Sequence, residues 1–302
     1  MKPSLAAFAE YILAAGLLAV LRVLPEKLAF DSARLCAKAL KISIPKLKRV
    51  ARTNLSFALP ELAAVQREEI INGVFDSLAR LLVTFGKLPV IKRENIGKWI
   101  RYEGLEHYLA AKRRGRGVLV ATAHLGNWEL SAFAHALMTE PMNVMIRPLD
   151  NWKIDRIVEA RRQLSGNRLI LKKEAALAVM RALKANEAVG ILIDQNTTID
   201  EGVFVDFFGK KACAGVAFAK LASRTGAPVI PGFAFWEELE HKYVLRFYPE
   251  VKITGDPQAD TQRIHSLFES LIRQYPNQWM WIHRRWKTRP PGEASLYDDP
   301  AR

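Results

Sequence analysis

The chain has 302 residues, half of them hydrophobic and a quarter charged, a balance that excludes a disordered chain and allows a large buried core. Lysine and arginine outnumber aspartate and glutamate 45 to 31, a net charge of +14, which suits a polyanionic partner: nucleic acid, an anionic membrane surface or a phosphorylated substrate. Two cysteines, Cys36 and Cys213, are too few and too separated for a disulfide framework or a zinc site, and fit a reducing, cytosolic-side location.

Leu5 to Leu21 is apolar apart from Glu10, near the lower limit of roughly 17–25 residues for a membrane span. Lys2 stands alone before this run, whereas Arg22, Lys27, Arg34, Lys38, Lys41, Lys46, Lys48, Arg49 and Arg52 follow it. That order is wrong for a secretory signal and keeps the bulk of the chain cytoplasmic by the positive-inside rule. Residues 1–24 are therefore expected to form a membrane-anchor helix, with a buried or interfacial helix as the alternative.

Residues 25–99 read as helical, with periodic apolar positions over 28–40 and 67–82 and punctuation at Pro45, Pro60 and Pro89. From about residue 100 the pattern alternates. Strands are predicted at 117–123, 142–147, 168–171, 188–193, 228–235 and 242–248, and helices at 128–138, 152–164, 174–185 and 213–225. The alternation predicts an α/β fold over 100–290, a mostly parallel mixed sheet flanked by helices, with 291–302 as a C-terminal tail. No solenoid repeat or low-complexity segment interrupts it.

In such a sheet functional side chains collect at the carboxyl ends of strands, and His124-Leu-Gly-Asn-Trp-Glu129 follows one directly. A histidine held by a carboxylate is a suitable base for an alcohol. The spacing alone is weak: with six histidines and 31 acidic residues, His-x4-acid arises by chance on the order of once, and His135 with Glu140 is a second instance inside a helical pattern. Setting separates the two pairs. Gly126 allows close backbone approach, Asn127 is a good N-cap, and Glu129 falls in the first helical turn, where the dipole favours an ionised carboxylate. No Gly-x-Ser-x-Gly elbow occurs in the chain, which favours direct transfer to a hydroxyl over an acyl-enzyme route.

Two more strands end in polar groups, Asn143-Val-Met-Ile-Arg147 and Val189-Gly-Ile-Leu-Ile-Asp-Gln195. Arg147 alone would be a surface cation and Asp194 a turn residue; three strand ends closing in His, Arg and Asp-Gln are more specific. Gly202-Val-Phe-Val-Asp-Phe-Phe-Gly209 reads either as a hairpin with core phenylalanines or as the lining of an acyl pocket through Phe207 and Phe208. Ala227-Pro-Val-Ile-Pro231 brackets a rigid entry into a strand. Residues 276–287 place three tryptophans among basic residues including Arg284 and Arg285. The segment reads either as a membrane-interface and phosphate-binding element or as tryptophans packed on the core.

Taken in order, His124-x4-Glu129, Arg147, Ile193-Asp-Gln195, 203–209, 227–231 and Pro276-x-Gln-Trp-x-Trp-x-His-Arg-Arg-Trp286 resemble the late acyltransferases of lipid A biosynthesis, within the lysophospholipid acyltransferase superfamily. Ala212-Cys213-Ala214 departs from the family, which often has a threonine there. The resemblance implies a membrane-bound O-acyltransferase on the cytoplasmic side of the bacterial inner membrane. It implies an acyl carrier protein thioester as donor and an anionic glycolipid, the lipid A precursor, as acceptor. His124 would be the general base, oriented and charge-balanced by Glu129. Backbone N–H groups at the Asn127 helix start would receive the oxyanion, Asp194 would act in positioning and not as a second base, and Asn127, Arg147, Asp194, Gln195, Phe207, Phe208, Arg284 and Arg285 would contact substrate. No metal, cofactor or nucleic acid is expected. An acyl-CoA-dependent phospholipid or phosphatidylinositol mannoside acyltransferase is the nearest alternative, and a non-catalytic basic membrane-surface or nucleic-acid-binding module the distant one.

Overall fold

The computed structural model describes residues 5–171 and 175–297; Lys2, position 174 of one predicted helix and the end of the predicted tail lie outside the described residues. The chain opens with four helices, α1 (Leu5–Val23), α2 (Glu26–Ser43), α3 (Pro45–Ala58) and α4 (Ala64–Lys87). Pro25 and Pro45 set the breaks, the latter in the first turn of α3 where its missing N–H costs nothing. Gln66 reaches back to the N–H of Ala63 to close the start of α4. Helix α4 is the hub. Its Ala79 and Val83 pack with Leu21 of α1 and the small side chains Ala29 and Ala33 of α2. By length and composition α1 could cross a membrane, yet Leu18 and Leu21 are buried against the rest of the chain.

The α/β part runs β1 (Ile100–Glu103), α5 (Leu105–Lys112), β2 (Val118–Thr122), α6 (Trp128–Met138), β3 (Asn143–Ile146), α7 (Trp152–Gln163), β4 (Arg168–Leu171), α8 (Ala175–Lys184) and β5 (Ala188–Leu192). It continues with β6 (Gly202–Phe207), β7 (Lys210–Gly215), α9 (Ala217–Thr225), β8 (Val229–Glu237), β9 (Lys242–Phe247) and α10 (Pro257–Gln274). Seven strands form one sheet in the order β1-β9-β8-β2-β5-β3-β4. Every neighbouring pair is parallel except β8 with β9. The central strands Val118-Leu-Val-Ala-Thr122 and Ala188-Val-Gly-Ile-Leu192 are apolar on both faces because helices cover both faces. On β2 the alternation is clean: Leu119 and Ala121 enter one core, Val118 and Val120 the other, under α6.

The helix expected over 213–225 begins only at Ala217. Residues 210–215 pair with β6 in a separate two-stranded hairpin. Its turn, Phe208-Gly209, has φ of 53° and 68°, the left-handed pair of a two-residue hairpin loop. Three elements were not anticipated: β1, α5 and α10. The last starts on Asp256, whose carboxylate accepts from the N–H groups of Gln258 and Ala259, with Pro257 in the first turn.

Candidate active site

Thr122 and Leu192 stand opposite each other in the β2–β5 ladder. Two residues past each strand end stand His124 and Asp194, so parallel register brings them to the same height. The Asp194 carboxylate accepts three hydrogen bonds: from His124 Nδ1 at 2.8 Å, from the His124 main-chain N–H at 3.0 Å and from Trp279 Nε1 at 2.9 Å. An ionised carboxylate only accepts, so the proton sits on Nδ1 and Nε2 keeps its lone pair. Gln195 Nε2 stands 3.5 Å from that Nε2, and the Trp128 ring lies edge-on to the imidazole at 4.9 Å.

Charge tunes the pair. Burial alone would lower the His124 pKa, but the charge and hydrogen bond of Asp194, helped by Glu129, outweigh it and raise the imidazole above its ordinary value. Asp194 is fully buried, which would raise it, yet the His124 and Trp279 contacts hold it well below the usual carboxylate range.

The loop carrying His124 is pinned on all sides. Gly126 has φ +68°, and a Cβ there would lie 2.0 Å from the carbonyl oxygen of Ala234. Only glycine fits. The Gly126 N–H donates to Gln278 O at 2.9 Å and the Met280 N–H to His124 O at 3.1 Å. Asn127 caps α6 by accepting from the Leu130 N–H at 3.0 Å, as its residue type suggested.

Several sequence expectations need correction here. Glu129 does not touch the imidazole; Arg162 of α7 grips its carboxylate at two points, 2.9 and 2.5 Å. Asp194, expected to hold substrate, makes the orienting contact that Glu129 was expected to make. Asn127 is fully buried, its amide spent on Thr84 Oγ1 at 2.7 Å and its N–H on Ala234 O at 2.8 Å, so neither can meet substrate. Among the described residues the N–H groups of Trp128 and Glu129 have no acceptor, so at the helix start that Asn127 caps these first-turn donors are the ones open to an anion.

Phe207 and Phe208 are 0% and 3% exposed. They pack against Trp279 and Trp286 with ring centroids 5.7–6.3 Å apart and do not line the cavity described below. Arg285 is fully buried, donates to Cys213 O at 2.5 Å, and burial pushes its pKa down to about 10. Arg284 lies over the Tyr297 ring at 5.3 Å, also outside the cavity. The three tryptophans of 276–287 are core residues, and Cys213 is buried beside them, its Sγ 3.4 Å from Thr198 O.

A cavity of about 1110 Å³ opens at these strand ends. His124, Trp128, Glu129, Arg162, Arg147 and Gln195 all line it. Arg147 is exposed at the mouth, as is Lys220 of α9, and neither side chain makes a hydrogen bond or ion pair among the described residues. Further in, the wall becomes apolar and buried, with Val120, Phe133 and Met142. No group of three metal-ligating side chains converges among the described residues. The arrangement supplies a base with a free ring nitrogen, a carboxylate that stabilises the imidazolium formed on proton transfer, anion-ready N–H groups, and cations at a mouth leading to an apolar interior. Arg162 escaped the sequence reading, and so did the contact between Trp279 and Asp194, since neither spacing nor residue type ties positions 33 and 85 residues apart to Glu129 and Asp194.

Residues 2–288 match the family model described as bacterial lipid A biosynthesis acyltransferase. The chain is 31% identical over 260 residues to a lipid A biosynthesis palmitoleoyltransferase of Escherichia coli, covering 84% of each chain. It is 28% identical over 263 residues to a lipid A biosynthesis lauroyltransferase of the same species, covering 85% of each. It is also 28% identical over 255 residues to a lipid A biosynthesis acyltransferase of Haemophilus influenzae, covering 84% of this chain and 79% of the relative.

Proposed function

The chain belongs to the bacterial lipid A biosynthesis acyltransferase family and is an acyltransferase, and from that premise we propose that it moves a fatty acyl group directly from an acyl carrier protein thioester to a hydroxyl of a phosphorylated lipid A precursor. The observation that carries the mechanism is the His124–Asp194 pair, with the free Nε2 on the cavity. His124 Nε2 takes the hydroxyl proton as the oxygen attacks the thioester carbonyl. Asp194 holds the ring in the right tautomer and stabilises the imidazolium. The oxyanion of the tetrahedral intermediate sits at the Trp128 and Glu129 N–H groups. As the intermediate collapses, the carbon–sulfur bond breaks and the imidazolium returns its proton to the departing thiolate. Glu129 acts on His124 through charge and holds Arg162 at the cavity wall.

Arg147 and Lys220 at the mouth are the groups we assign to acceptor phosphates. Membrane attachment at the cytoplasmic face of the inner membrane is supported by α1, where Leu5, Phe8, Ile12, Leu13, Val20 and Val23 face outward, and by the basic stretch after it. The test is mass spectrometry of lipid A from a strain lacking the protein and from the complemented strain. Loss of one acyl mass, restored on complementation, is expected, and fragmentation gives its position. Identical lipid A in both strains refutes the reading.

A further inference from the structure

Helix α1 is held by the folded body at both ends. At its C-terminal end Leu21 is fully buried, and Lys87 Nζ of α4 donates to Leu24 O at 2.6 Å. Gly86 lets the two helices approach so closely that a Cβ there would stand 2.9 Å from Leu21 Cβ. At the N-terminal end Asn151, the cap of α7, donates through its amide to Ala7 O at 2.8 Å and to Glu10 Oε2 at 3.0 Å. Lys153 lies over the Phe8 and Tyr11 rings at 5.5 and 5.4 Å. Between these ends Ala7, Tyr11, Ala14, Leu18 and Leu21, spaced alternately by four and three, turn inward along the whole helix.

The opposite face is bare and uncharged: Leu5, Phe8, Ile12, Leu13, Val20 and Val23 are 46–90% exposed. This apolar stripe continues into the start of α7. Leu149 and Trp152 are about half exposed, and Lys153 and Arg156 stack on the Trp152 ring at 4.8 and 5.0 Å. An aromatic ring between cations suits a headgroup layer. The same loop reaches the site, since Arg147, Pro148, Leu149 and Asp150 line the cavity.

Resting on the membrane attachment proposed above, we infer that α1 does not cross the bilayer: it lies flat in one leaflet of an anionic lipid surface, and residues 149–156 beside it set the cavity mouth at the headgroups. A hydrocarbon core takes about twenty helical residues to cross, which is the whole of α1. To cross alone, α1 would have to leave α4 and α7 and strip the cluster in which Leu21 packs with Ala79 and Val83. To cross while docked, it would carry α7, six of whose twelve residues are charged, into hydrocarbon that strongly disfavours charge. Lying flat breaks no contact. The cations Arg147, Lys153 and Arg156 beside the stripe match anionic headgroups and would repel the same rim on a second copy. A lipid acceptor then enters the mouth sideways from the leaflet, its phosphates level with Arg147, without passing through water.

The test is topological and needs no turnover. Glu10→Cys with Asn151→Cys places two thiols where these side chains now meet; Cys36→Ser removes the exposed native thiol, and Cys213 is buried. In inner-membrane vesicles a short bismaleimide is expected to join the pair in most chains. A crossing helix holds the two positions apart, so an unjoined pair in a folded chain overturns the inference. If the double variant does not fold, Leu5→Cys in the same background decides. Protection from an impermeant maleimide added to the periplasmic side of spheroplasts is expected, and labelling there overturns it. A cross-linked chain that stays out of phosphatidylglycerol vesicles as a dimer overturns the lipid surface as the occupant. Trp152→Ser is expected to lower kcat/KM about tenfold for acceptor in those vesicles, the effect of one half-exposed aromatic losing its apolar contact, and to spare detergent-dispersed acceptor. Equal values in the two presentations overturn the headgroup contact. A cross-linked, membrane-bound chain that transfers no acyl group refutes the acyltransfer reading and leaves α1 as inferred.

Discussion

Asp194→Asn isolates the carboxylate charge at nearly constant shape. The amide oxygen can still accept from the main-chain N–H of His124 and from Trp279 Nε1, which now meet the carboxylate at 3.0 and 2.9 Å. The amide NH2 then faces Nδ1 and favours the tautomer with its proton on Nε2, where the base is needed. Losing a charge-assisted bond costs about 1.5–3 kcal/mol, or roughly 10–200-fold in rate. With the wrong tautomer added, kcat should fall about 10²–10⁴-fold, the usual range for general base catalysis. The pH profile is diagnostic. In the wild type His124 is raised above its ordinary 6.5, and only the neutral ring is active, so the acid limb of kcat/KM should lie above pH 6.5. Without Asp194 burial dominates and the limb should move to lower pH. Stability carries the same signature. The raised His124 contributes stability below pH 6.5 that is lost as pH rises through its folded pKa, and the lowered Asp194 contributes stability above pH 3.8 that is lost as pH falls. The Tm difference between wild type and variant should therefore be largest between those two values. A variant with kcat within threefold of wild type and an unmoved acid limb would refute the dyad.

Glu129→Gln should leave Arg162 unopposed beside His124, moving the acid limb down as well while costing less in kcat than Asp194→Asn; an upward shift would contradict the charge assignment. Gly126→Ala forces a methyl against Ala234 O at positive φ and should destabilise by about 2–4 kcal/mol in thermal denaturation; an unchanged Tm would mean the loop relaxes freely. Arg285→Met should lower Tm by removing the bond to Cys213 O without raising the acceptor KM, whereas a raised KM at unchanged Tm would return Arg285 to the binding surface.

The sheet was legible because β2 and β5 are continuous apolar runs that only a strand buried on both faces explains. Helix α10 was equally legible and missed, for Ile264, Phe268, Leu271 and Ile272 keep helical spacing behind an Asp-Pro start. Strand β1 has four residues with one buried side chain, too little pattern for any reading. At the site, the strand ends singled out in the sequence, His124, Asp194 and Arg147, do come to one edge of the sheet, since parallel strands deliver their termini together. Roles were another matter. His-x4-Glu suggested a contact that helix geometry denies: Glu129 sits in the first turn of α6 and faces α7, whereas Asp194 arrives from the neighbouring strand at equal height. The tryptophans of 276–287 carry no mark in sequence telling a membrane belt from a core. That Trp279 hydrogen-bonds Asp194 is visible only once the chain has folded back under the loop.

The most direct measurement is acyl transfer by His124→Ala from an acyl carrier protein thioester to a lipid A precursor, read as product mass against time, with Tm and membrane binding followed on the same preparation. The account predicts a loss of about 10²–10⁴-fold in rate with folding and membrane binding retained. A folded, membrane-bound variant that transfers at close to the wild-type rate would contradict it.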